Sequence, residues 1–157
     1  MPPATPKMVH LSRLRTAAQT KLEAAVALVL AGEKIVRRAE QTLGEHGVTL
    51  PQFDVLSNLL MHDGLTQQEL AARLQVTKGN VCGLLDRLEK LGWVVRRPDE
   101  KDGRVNRLSI TPAGRERVEM LRPVHDAALL DLVRNWTVED ADTLGRILAK
   151  LDLSNDS

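Results

Sequence analysis

The apolar residues in the first third of the chain have the spacing of one long helix. Between Leu11 and Leu43 they recur at intervals of three, four or seven residues, and no proline interrupts them. A helix of this length is about 45 Å long, which is more than one small domain covers by itself. We therefore predict a helix over residues 11–43 whose apolar face requires a further partner, preceded by a flexible, proline-rich N-terminus at residues 1–10.

Two helix-start patterns follow the glycines at positions 44 and 47. Pro51 stands in the first-turn position that proline favours, and it predicts a helix that runs to about His62. Thr66-Gln-Gln-Glu69 has the form of a capping box, in which the Thr hydroxyl and the Glu carboxylate satisfy free backbone amides. This box predicts a short helix that ends near Leu74.

A tight connection at Gln75-Val76 leads into a longer helix. Thr77 can cap this helix and Gly92 ends it, which predicts a helix over Lys78–Leu91. Two helices joined by so short a turn form a helix-turn-helix, whose second helix characteristically enters the major groove of DNA. The residues expected on its inner face are Val81, Leu84, Leu85, Leu88 and Leu91.

Apolar and polar residues alternate in two short segments after Gly92. The strands predicted at Trp93–Arg97 and Val105–Ile110 are joined by the charged, turn-rich segment PDEKDG, and they therefore form a hairpin. A hairpin that follows a helix-turn-helix makes it a winged helix-turn-helix.

Two further helices are predicted to complete the chain. Pro112 opens the first, over Ala113–Trp136, and Pro123 should kink or break it because proline lacks a backbone donor. Thr137 caps the last helix, over Val138–Leu151. The predicted fold class is thus mainly α with a small β-hairpin wing.

Composition agrees with one domain that has helical extensions. Of the 157 residues 43% are apolar but only 2% are aromatic, so the core is expected to consist mostly of Leu, Val and Ala. The single cysteine excludes an intramolecular disulfide and a multi-cysteine zinc site. Neither a signal-peptide pattern nor an apolar run of membrane-spanning length is visible, so a cytoplasmic protein without membrane association is expected.

Positive charge is concentrated in the middle of the chain. The net charge is only +1, but Thr66–Arg117 carries 11 basic and 7 acidic residues, whereas the rest carries 11 basic and 14 acidic ones. A basic centre between mildly acidic ends indicates a polyanion partner. The low net charge disfavours an architectural protein that binds DNA without sequence preference, because that mode relies on many phosphate contacts.

The outer face of the helix over Lys78–Leu91 carries two glycines four residues apart. Glycine costs about 1 kcal/mol relative to alanine inside a helix, so Gly79 and Gly83 require a reason. Close approach of the helix backbone to base edges is the functional reason, and tolerated surface glycine is the alternative. The DNA-contacting residues expected in the helix-turn-helix are Thr66, Thr77, Lys78, Gly79, Asn80, Cys82, Gly83 and Arg87.

The tip of the predicted hairpin carries two further cations. Lys101 and Arg104 can lie over the adjacent minor groove, where a guanidinium fits the narrow floor of A·T-rich DNA. Asp102, two residues before Arg104, can orient it through a charge-assisted hydrogen bond. The carboxylates of Asp99 and Glu100 would repel phosphate unless they hold cations of the wing itself.

These residues resemble the MarR family of bacterial winged-helix regulators. The resemblance is carried by LAARL, LLDRLEKLGWVVR, the wing motif Asp102-x-Arg104 and LSITPAG. It implies a homodimer in which helices of residues 11–47 and 113–157 interleave, and a winged helix-turn-helix of residues 48–112 that binds palindromic double-stranded DNA. The chain departs from the family at Gly103, where a second Arg is common, and at Cys82 and Gly83, where Ser, Thr or Arg is common.

The same resemblance implies a repressor that releases its operator when a small, often aromatic or phenolic, molecule binds between the dimerisation helices and the DNA-binding lobe. Phe53, Leu56 and Leu60 are expected to line that pocket, although they would serve equally well as core. No cofactor and no resident metal are expected. The implied location is a bacterial or archaeal cytoplasm, at the nucleoid when the protein is bound to DNA.

A redox-responsive regulator that switches through Cys82 is one alternative. The helix N-terminus and the nearby Lys78 can lower the pKa of the Cys82 thiol and make it reactive. By resemblance, however, the peroxide sensors of the family keep their reactive cysteine in the first helix, where this chain has none.

A metal-responsive regulator is the second alternative, and it would draw on Glu45 and on the histidines. No two histidines have the i, i+3 or i, i+4 spacing that places two imidazoles on one helical face. The histidines also form no catalytic signature, and no Gly-rich phosphate loop follows a strand, so an enzyme is not expected. The candidate metal ligands are Glu45, His46, His62 and His125.

Overall fold

The computed structural model describes residues 16–151. The predictions for residues 1–15 and 152–157, among them the flexible N-terminus and the helix start at Leu11, lie outside the described residues. The described chain forms, in order, α1 (Ala17–Gly44), α2 (Leu50–Met61), β1 (Leu65–Thr66), α3 (Gln67–Leu74), α4 (Lys78–Lys90), β2 (Val94–Pro98), β3 (Asn106–Ile110), α5 (Pro112–Leu132) and α6 (Val138–Leu148). None of these helices is long and apolar enough to cross a membrane.

The chain divides into two compact units, residues 1–36 and residues 37–157. The described part of the first unit is the N-terminal portion of α1. Its large apolar side chains are exposed, and those at Leu22, Val26, Val29 and Val36 recur at intervals that place them on one side of the helix. Within the described part of this unit, that apolar stripe is not covered.

The second unit has a core of leucine and valine, as composition predicts. Helices α2, α3 and α4 pack against one another, and the sheet and α5 close the cluster. Burying one such side chain stabilises a fold by about 1.5–3 kcal/mol, so this cluster fixes the orientation of α4. Its largest fully buried side chains are Leu43, Leu56, Leu59, Leu70, Leu85, Leu88, Leu108 and Leu121.

Threonine caps every helix from α2 to α6. The predicted capping box of α3 is confirmed: Thr66 N–H donates to Glu69 Oε2 at 2.7 Å, and Glu69 N–H donates to Thr66 Oγ1 at 3.2 Å. The predicted caps at Thr77 and Thr137 are also confirmed. Two further caps were not predicted from the sequence: Thr49, which forms a second capping box with Gln52, and Thr111.

The turn between α3 and α4 depends on one residue in the left-handed conformation. Gln75 has φ 53° and ψ 41°, and its N–H donates to the carbonyl of Ala72 at 3.2 Å. Val76 N–H donates to the carbonyl of Ala71 at 3.1 Å, so the chain leaves α3 at once and delivers Thr77 to cap α4. The predicted tight connection of a helix-turn-helix is confirmed.

The wing belongs to a three-stranded antiparallel sheet with the order β1-β3-β2. The predicted hairpin is the β2–β3 pair, in which Val94 faces Ile110 and Pro98 faces Asn106. The two-residue strand β1 was not predicted, because two residues are too few to show an alternating pattern. Its Leu65 pairs with Leu108, and this pairing ties the wing to the start of α3.

Three helix ends lie earlier than predicted. Helix α4 ends at Lys90, so Leu91, predicted on the inner face, lies beyond the last turn and is exposed. Helix α5 ends at Leu132 rather than Trp136, because the chain turns there and Trp136 N–H donates to the carbonyl of Val133 at 2.8 Å. Helix α6 ends at Leu148 rather than Leu151.

Pro123 lies inside α5 without breaking it. Of the two predicted outcomes, a kink or a break, the break does not occur. Proline removes one backbone hydrogen bond, but buried side chains on both sides of it, Val118, Leu121 and Ala128, hold the two segments in place.

Candidate nucleic-acid interface

Helix α4 buries one face and exposes the other. Val81, Leu85 and Leu88 are fully buried against the core, as their spacing predicts, and Leu84 is partly buried. The six residues of α4 predicted to contact DNA are all exposed, and they are Lys78, Gly79, Asn80, Cys82, Gly83 and Arg87. A whole helical face is therefore available to a partner.

The two glycines on that face are not required by packing. A Cβ atom built at Gly79 or at Gly83 would have no described neighbour within 4 Å. Neither residue has the positive φ that favours glycine. No described residue therefore requires a glycine at either position. If a close approach requires one there, it is the approach of a partner outside the chain.

The threonines predicted to contact DNA are both helix caps. Thr66 Oγ1 accepts a hydrogen bond from Glu69 N–H at 3.2 Å, and Thr77 Oγ1 accepts one from Asn80 N–H at 3.3 Å. Each hydroxyl keeps its own proton, which remains free to be donated to a phosphate. Both caps also hold helix N-termini, where backbone amides and the helix dipole favour an anion.

The wing tip carries the predicted pair of Asp102 and Arg104. Arg104 Nε lies 3.1 Å from Asp102 Oδ1, and Arg104 Nη2 donates to Asp102 Oδ2 at 3.3 Å. The Arg104 hydrogen bonds lower the pKa of the Asp102 carboxyl. The Arg104 side chain is 91% exposed, so the aspartate orients the guanidinium without removing it from solvent. Lys101 is exposed beside it.

Asp99 organises the turn of the wing. Its Oδ1 accepts the N–H groups of Lys101 at 2.8 Å and of Asp102 at 3.0 Å, and its Oδ2 accepts Nε of Arg107 at 2.6 Å. The guanidinium of Arg107 and the two amides lower the pKa of the Asp99 carboxyl to about 2. Asp99 thus holds a cation of the wing itself, so its charge is compensated and does not repel phosphate.

Arg107 and Arg96 were not identified from the sequence. Arg107 Nη1 also donates to the carbonyl of Gly64 at 3.1 Å and thereby braces the wing against the segment before α3. Arg96 Nη1 pairs with Asp86 and Glu89 of α4. Strand alternation places Arg96 and Arg97 on opposite faces of β2, but it does not tell which of the two faces a partner.

An open cavity of about 550 Å³ lies where α2 meets the first turns of α4. The lining of the cavity includes one basic residue, Arg87, and two acidic residues, Glu40 and Asp54, beside apolar residues. Burial raises the pKa of the Asp54 carboxyl, and the nearby His125 opposes that rise. The other lining residues are Leu50, Pro51, Leu74, Val76, Gly79, Asn80, Val81, Gly83 and Leu84.

The residues predicted to line a ligand pocket lie elsewhere. Phe53 and Leu56 are buried in the core, and Leu60 packs against it. None of the three lines the cavity, and the Phe53 ring instead contacts His125 with ring centroids 4.7 Å apart. All three belong to the core or pack against it, which is the alternative stated for them above, because α2 turns that face towards α5.

The candidate metal ligands and the cysteine do not form a site together. Within residues 16–151 no three His, Cys, Asp or Glu side chains come together as a metal-binding group. His125 Nδ1 lies 3.0 Å from Asp126 Oδ1, and the carbonyl of His46 accepts a hydrogen bond from Arg117. Cys82 is an exposed free thiol. Its redox role stays a prediction.

Comparison with known proteins gives the family. The sequence profile of the MarR family matches residues 46–105. The HTH-type transcriptional repressor YetL of Bacillus subtilis (strain 168) is 30% identical over 134 residues, which are 83% of this chain and 79% of YetL. The crystal structure of a cysteine-to-serine mutant of MarR from E. coli, complexed with operator DNA, aligns with a TM-score of 0.77 and 26% identity, over 87% of this chain and 98% of that one.

A second DNA complex gives the same result. The S. aureus MepR–DNA complex aligns with a TM-score of 0.74 and 27% identity, over 80% of this chain and 93% of that one. The order of helices and the three-stranded sheet with its wing are those of these regulators, which are DNA-binding proteins and not enzymes. The chain belongs to the MarR family of winged helix-turn-helix DNA-binding transcriptional regulators.

Proposed function

We propose that the protein is a homodimeric repressor that binds a palindromic operator and releases it when a small molecule binds. The observation that carries this proposal is the exposed face of α4, with its two unpacked glycines, next to a wing that presents Arg104. In this arrangement α4 enters the major groove and the wing tip lies over the neighbouring minor groove. DNA binding is the established activity of the family, and the operator, the dimer and the ligand are the proposed parts.

The proposed DNA contacts divide by chemistry. Gly79, Asn80, Cys82 and Gly83 approach base edges, because they are small or polar and lie on the exposed side of α4. Arg104 occupies the minor groove. The remaining proposed contacts, which bind phosphates, are made by Thr66, Thr77, Lys78, Arg87 and Lys101.

Dimerisation is supported by apolar surface that the described chain leaves uncovered. No residue of α6 is buried within the described chain, although Val138, Ala141, Leu144 and Leu148 lie along one side of its axis. Val138 is 80% exposed. The N-terminal part of α1 presents a similar stripe. We therefore assign residues 11–47 and 113–157 to dimerisation and residues 48–112 to DNA binding.

The cavity beside α4 is the proposed effector site. It combines apolar walls from Leu50 and Leu84 with one basic residue, Arg87, and two acidic residues, Glu40 and Asp54, a composition that fits a small aromatic molecule with hydrogen-bonding groups such as a phenol. Gly79 and Gly83 border it from the DNA-facing helix, so a ligand there competes with DNA for Arg87 and for close approach of α4. Release of the operator then follows from differential binding, because a ligand in the cavity and DNA against α4 would exclude one another.

Selection of bound sequences from a random duplex pool at physiological salt tests the proposal. We expect one enriched palindrome whose half-sites lie about one helical turn, about 34 Å, apart. Small aromatic and phenolic molecules are then tested for release of that operator, with Arg87→Ala as the variant expected to resist release. Enrichment of a single half-site would contradict the dimer, and release that is unchanged in Arg87→Ala would contradict the assigned cavity.

A further inference from the structure

Arg96 joins the wing to α4 by contacts that span two helical turns. Its Nη1 donates to Asp86 Oδ1 at 2.7 Å and to Glu89 Oε2 at 2.5 Å. Its Nη2 donates to the carbonyl of Cys82 at 3.3 Å. Residues 82, 86 and 89 have the i, i+4 and i+7 spacing that places them on one side of a helix. A single guanidinium from β2 therefore contacts three residues on that side of α4.

The connection also runs in the opposite direction. Glu89 Oε1 accepts the backbone N–H of Arg96 at 3.0 Å, while its other oxygen accepts the Arg96 side chain. One carboxylate therefore fixes both the strand and the guanidinium. The Arg96 side chain is only 18% exposed, whereas that of Arg104 is 91% exposed. The Arg96 guanidinium is thus bonded to α4 and is not free to bind a phosphate.

Of the two carboxylates that pair with Arg96, Asp86 is the one that faces the proposed DNA surface. Its side chain is 53% exposed, and it stands three residues beyond Gly83 on the outward side of α4. An uncompensated carboxylate at that place would repel the DNA backbone. Arg96 supplies the compensating charge at 2.7 Å from within the protein.

We propose that Arg96 is a positioning residue for DNA recognition, which fixes the wing against α4 and neutralises Asp86 on the DNA-facing surface. The proposal rests on the proposed function in that α4 and the wing are taken as the DNA-binding elements. It makes two separate predictions, one about the geometry of the free protein and one about charge in the complex.

The geometry is tested without DNA. Cys82 is the only cysteine of the chain, and Gly103 at the wing tip has no described neighbour within 4 Å of an added Cβ, so Gly103→Cys provides a second site for a spin label. Labelled chains are mixed with an excess of unlabelled Cys82→Ser chains, so that each distance is measured within one chain. We expect a narrow Cys82–Gly103 distance distribution that broadens in Arg96→Gln and stays narrow in Arg97→Gln, which removes an equal charge from the neighbouring position. Equal widths in all three proteins would overturn the positioning role.

The charge is tested by a double-mutant cycle on the affinity for DNA. We expect Arg96→Gln to weaken binding about 10-fold, and Asp86→Asn in that background to restore several-fold of the loss, because the unpaired carboxylate is gone. Asp86→Asn alone should change the affinity about twofold or less. Additive effects of the two substitutions, or an Arg96→Gln affinity equal to that of the wild type, would overturn the proposal. Arg96→Lys keeps the positive charge but lacks the planar guanidinium that reaches several acceptors at once, so its DNA affinity should lie between those of the wild type and Arg96→Gln.

The outcomes separate this proposal from the proposed function. If no operator is selected, sequence-specific regulation fails, and the cycle is then measured on a random duplex at low salt, where repulsion by Asp86 acts equally. If the effects of Arg96→Gln and Asp86→Asn on that affinity are not additive, the role of Arg96 is supported. Additive effects overturn it. If Asp86→Asn restores none of the DNA affinity lost in Arg96→Gln, and the loss of affinity follows the loss of thermal stability, Arg96 is a purely structural residue and the proposal is overturned.

Discussion

Arg107 Nε donates to Asp99 Oδ2 at 2.6 Å and so joins the two strands of the wing at the start of its turn. The same guanidinium reaches the carbonyl of Gly64, while Asp99 Oδ1 holds the amides of Lys101 and Asp102. One ion pair therefore organises the turn that presents Arg104 and attaches it to the segment before α3. The wing is a braced element, and its shape depends on the charge of one carboxylate.

The dependence on Asp99 predicts an acid transition of the wing. The pKa of Asp99 is lowered from 3.8 to about 2, so its contribution to stability is complete above pH 3.8 and is lost as the pH falls towards 2. We expect the amide protons of Lys101 and Asp102 to shift in NMR spectra with a midpoint near pH 2. Asp99→Asn should abolish that transition. A midpoint near 3.8 would show that the ion pair does not form in solution.

Arg104 is expected to contribute to affinity and not to folding. Because its side chain is 91% exposed and contacts Asp102 alone in its own wing, Arg104→Ala should leave the unfolding temperature nearly unchanged. The DNA affinity should fall by about 1–3 kcal/mol, and the preference for A·T-rich flanks should weaken. Arg134→Ala is the matched control, since Arg134 also pairs with an aspartate and is exposed, but lies after α5. An equal loss of DNA affinity in both variants would indicate that only the overall positive charge of the protein matters.

Gly83→Ala should change stability and DNA binding in opposite directions. An alanine Cβ at this position has open space among the described residues, and alanine favours the helix by up to about 1 kcal/mol. The added methyl group lies on the surface proposed to meet base edges, so the operator affinity should fall. Urea unfolding and a binding titration measure the two effects. An unchanged affinity would assign Gly83 to tolerated surface glycine.

Gly114→Ala should destabilise the fold, unlike Gly83→Ala. A Cβ at Gly114 would lie 2.2 Å from the carbonyl oxygen of Trp93, which already accepts the N–H of Thr111 at 3.0 Å. The backbone must move to relieve this overlap, and overpacking of this kind costs about 1–3 kcal/mol. Urea unfolding of the two alanine variants compares the same substitution in crowded and in open space. A stabilised Gly114→Ala variant would contradict the close approach of α5 to the start of β2.

Leu148→Asp should prevent dimerisation if α6 is part of the interface. A charge within the uncovered apolar side of α6 cannot be buried against a second copy without a large desolvation cost. Arg146→Asp is the control, because residue 146 lies about 160° around the helix from residue 148, on its polar side. Sedimentation should show a monomer for Leu148→Asp and a dimer for both the wild type and Arg146→Asp. Dimers of Leu148→Asp would remove α6 from the interface.

Much of the architecture follows from local patterns in the sequence. The capping box at Thr66, the caps at Thr77 and Thr137, and the buried positions Val81, Leu85 and Leu88 depend on contacts within a few residues or on helical period. Such contacts are encoded locally, so periodicity and capping rules find them. The winged helix-turn-helix and its family are determined at this level, and so is the Asp102–Arg104 pair, whose members stand two residues apart.

Tertiary structure alone decided the contacts between residues distant in sequence. Arg96 reaches Cys82, 14 residues away, and Arg107 reaches Gly64, 43 residues away, and no local pattern marks either arginine as paired. The same holds for Gly114, which needs to be glycine only because α5 passes the carbonyl of Trp93. The position of the cavity and the burial of Phe53 and Leu56 likewise depend on how α2 turns against α4 and α5. Helical period gives the face on which a residue lies, but only packing of the whole chain determines which element covers that face.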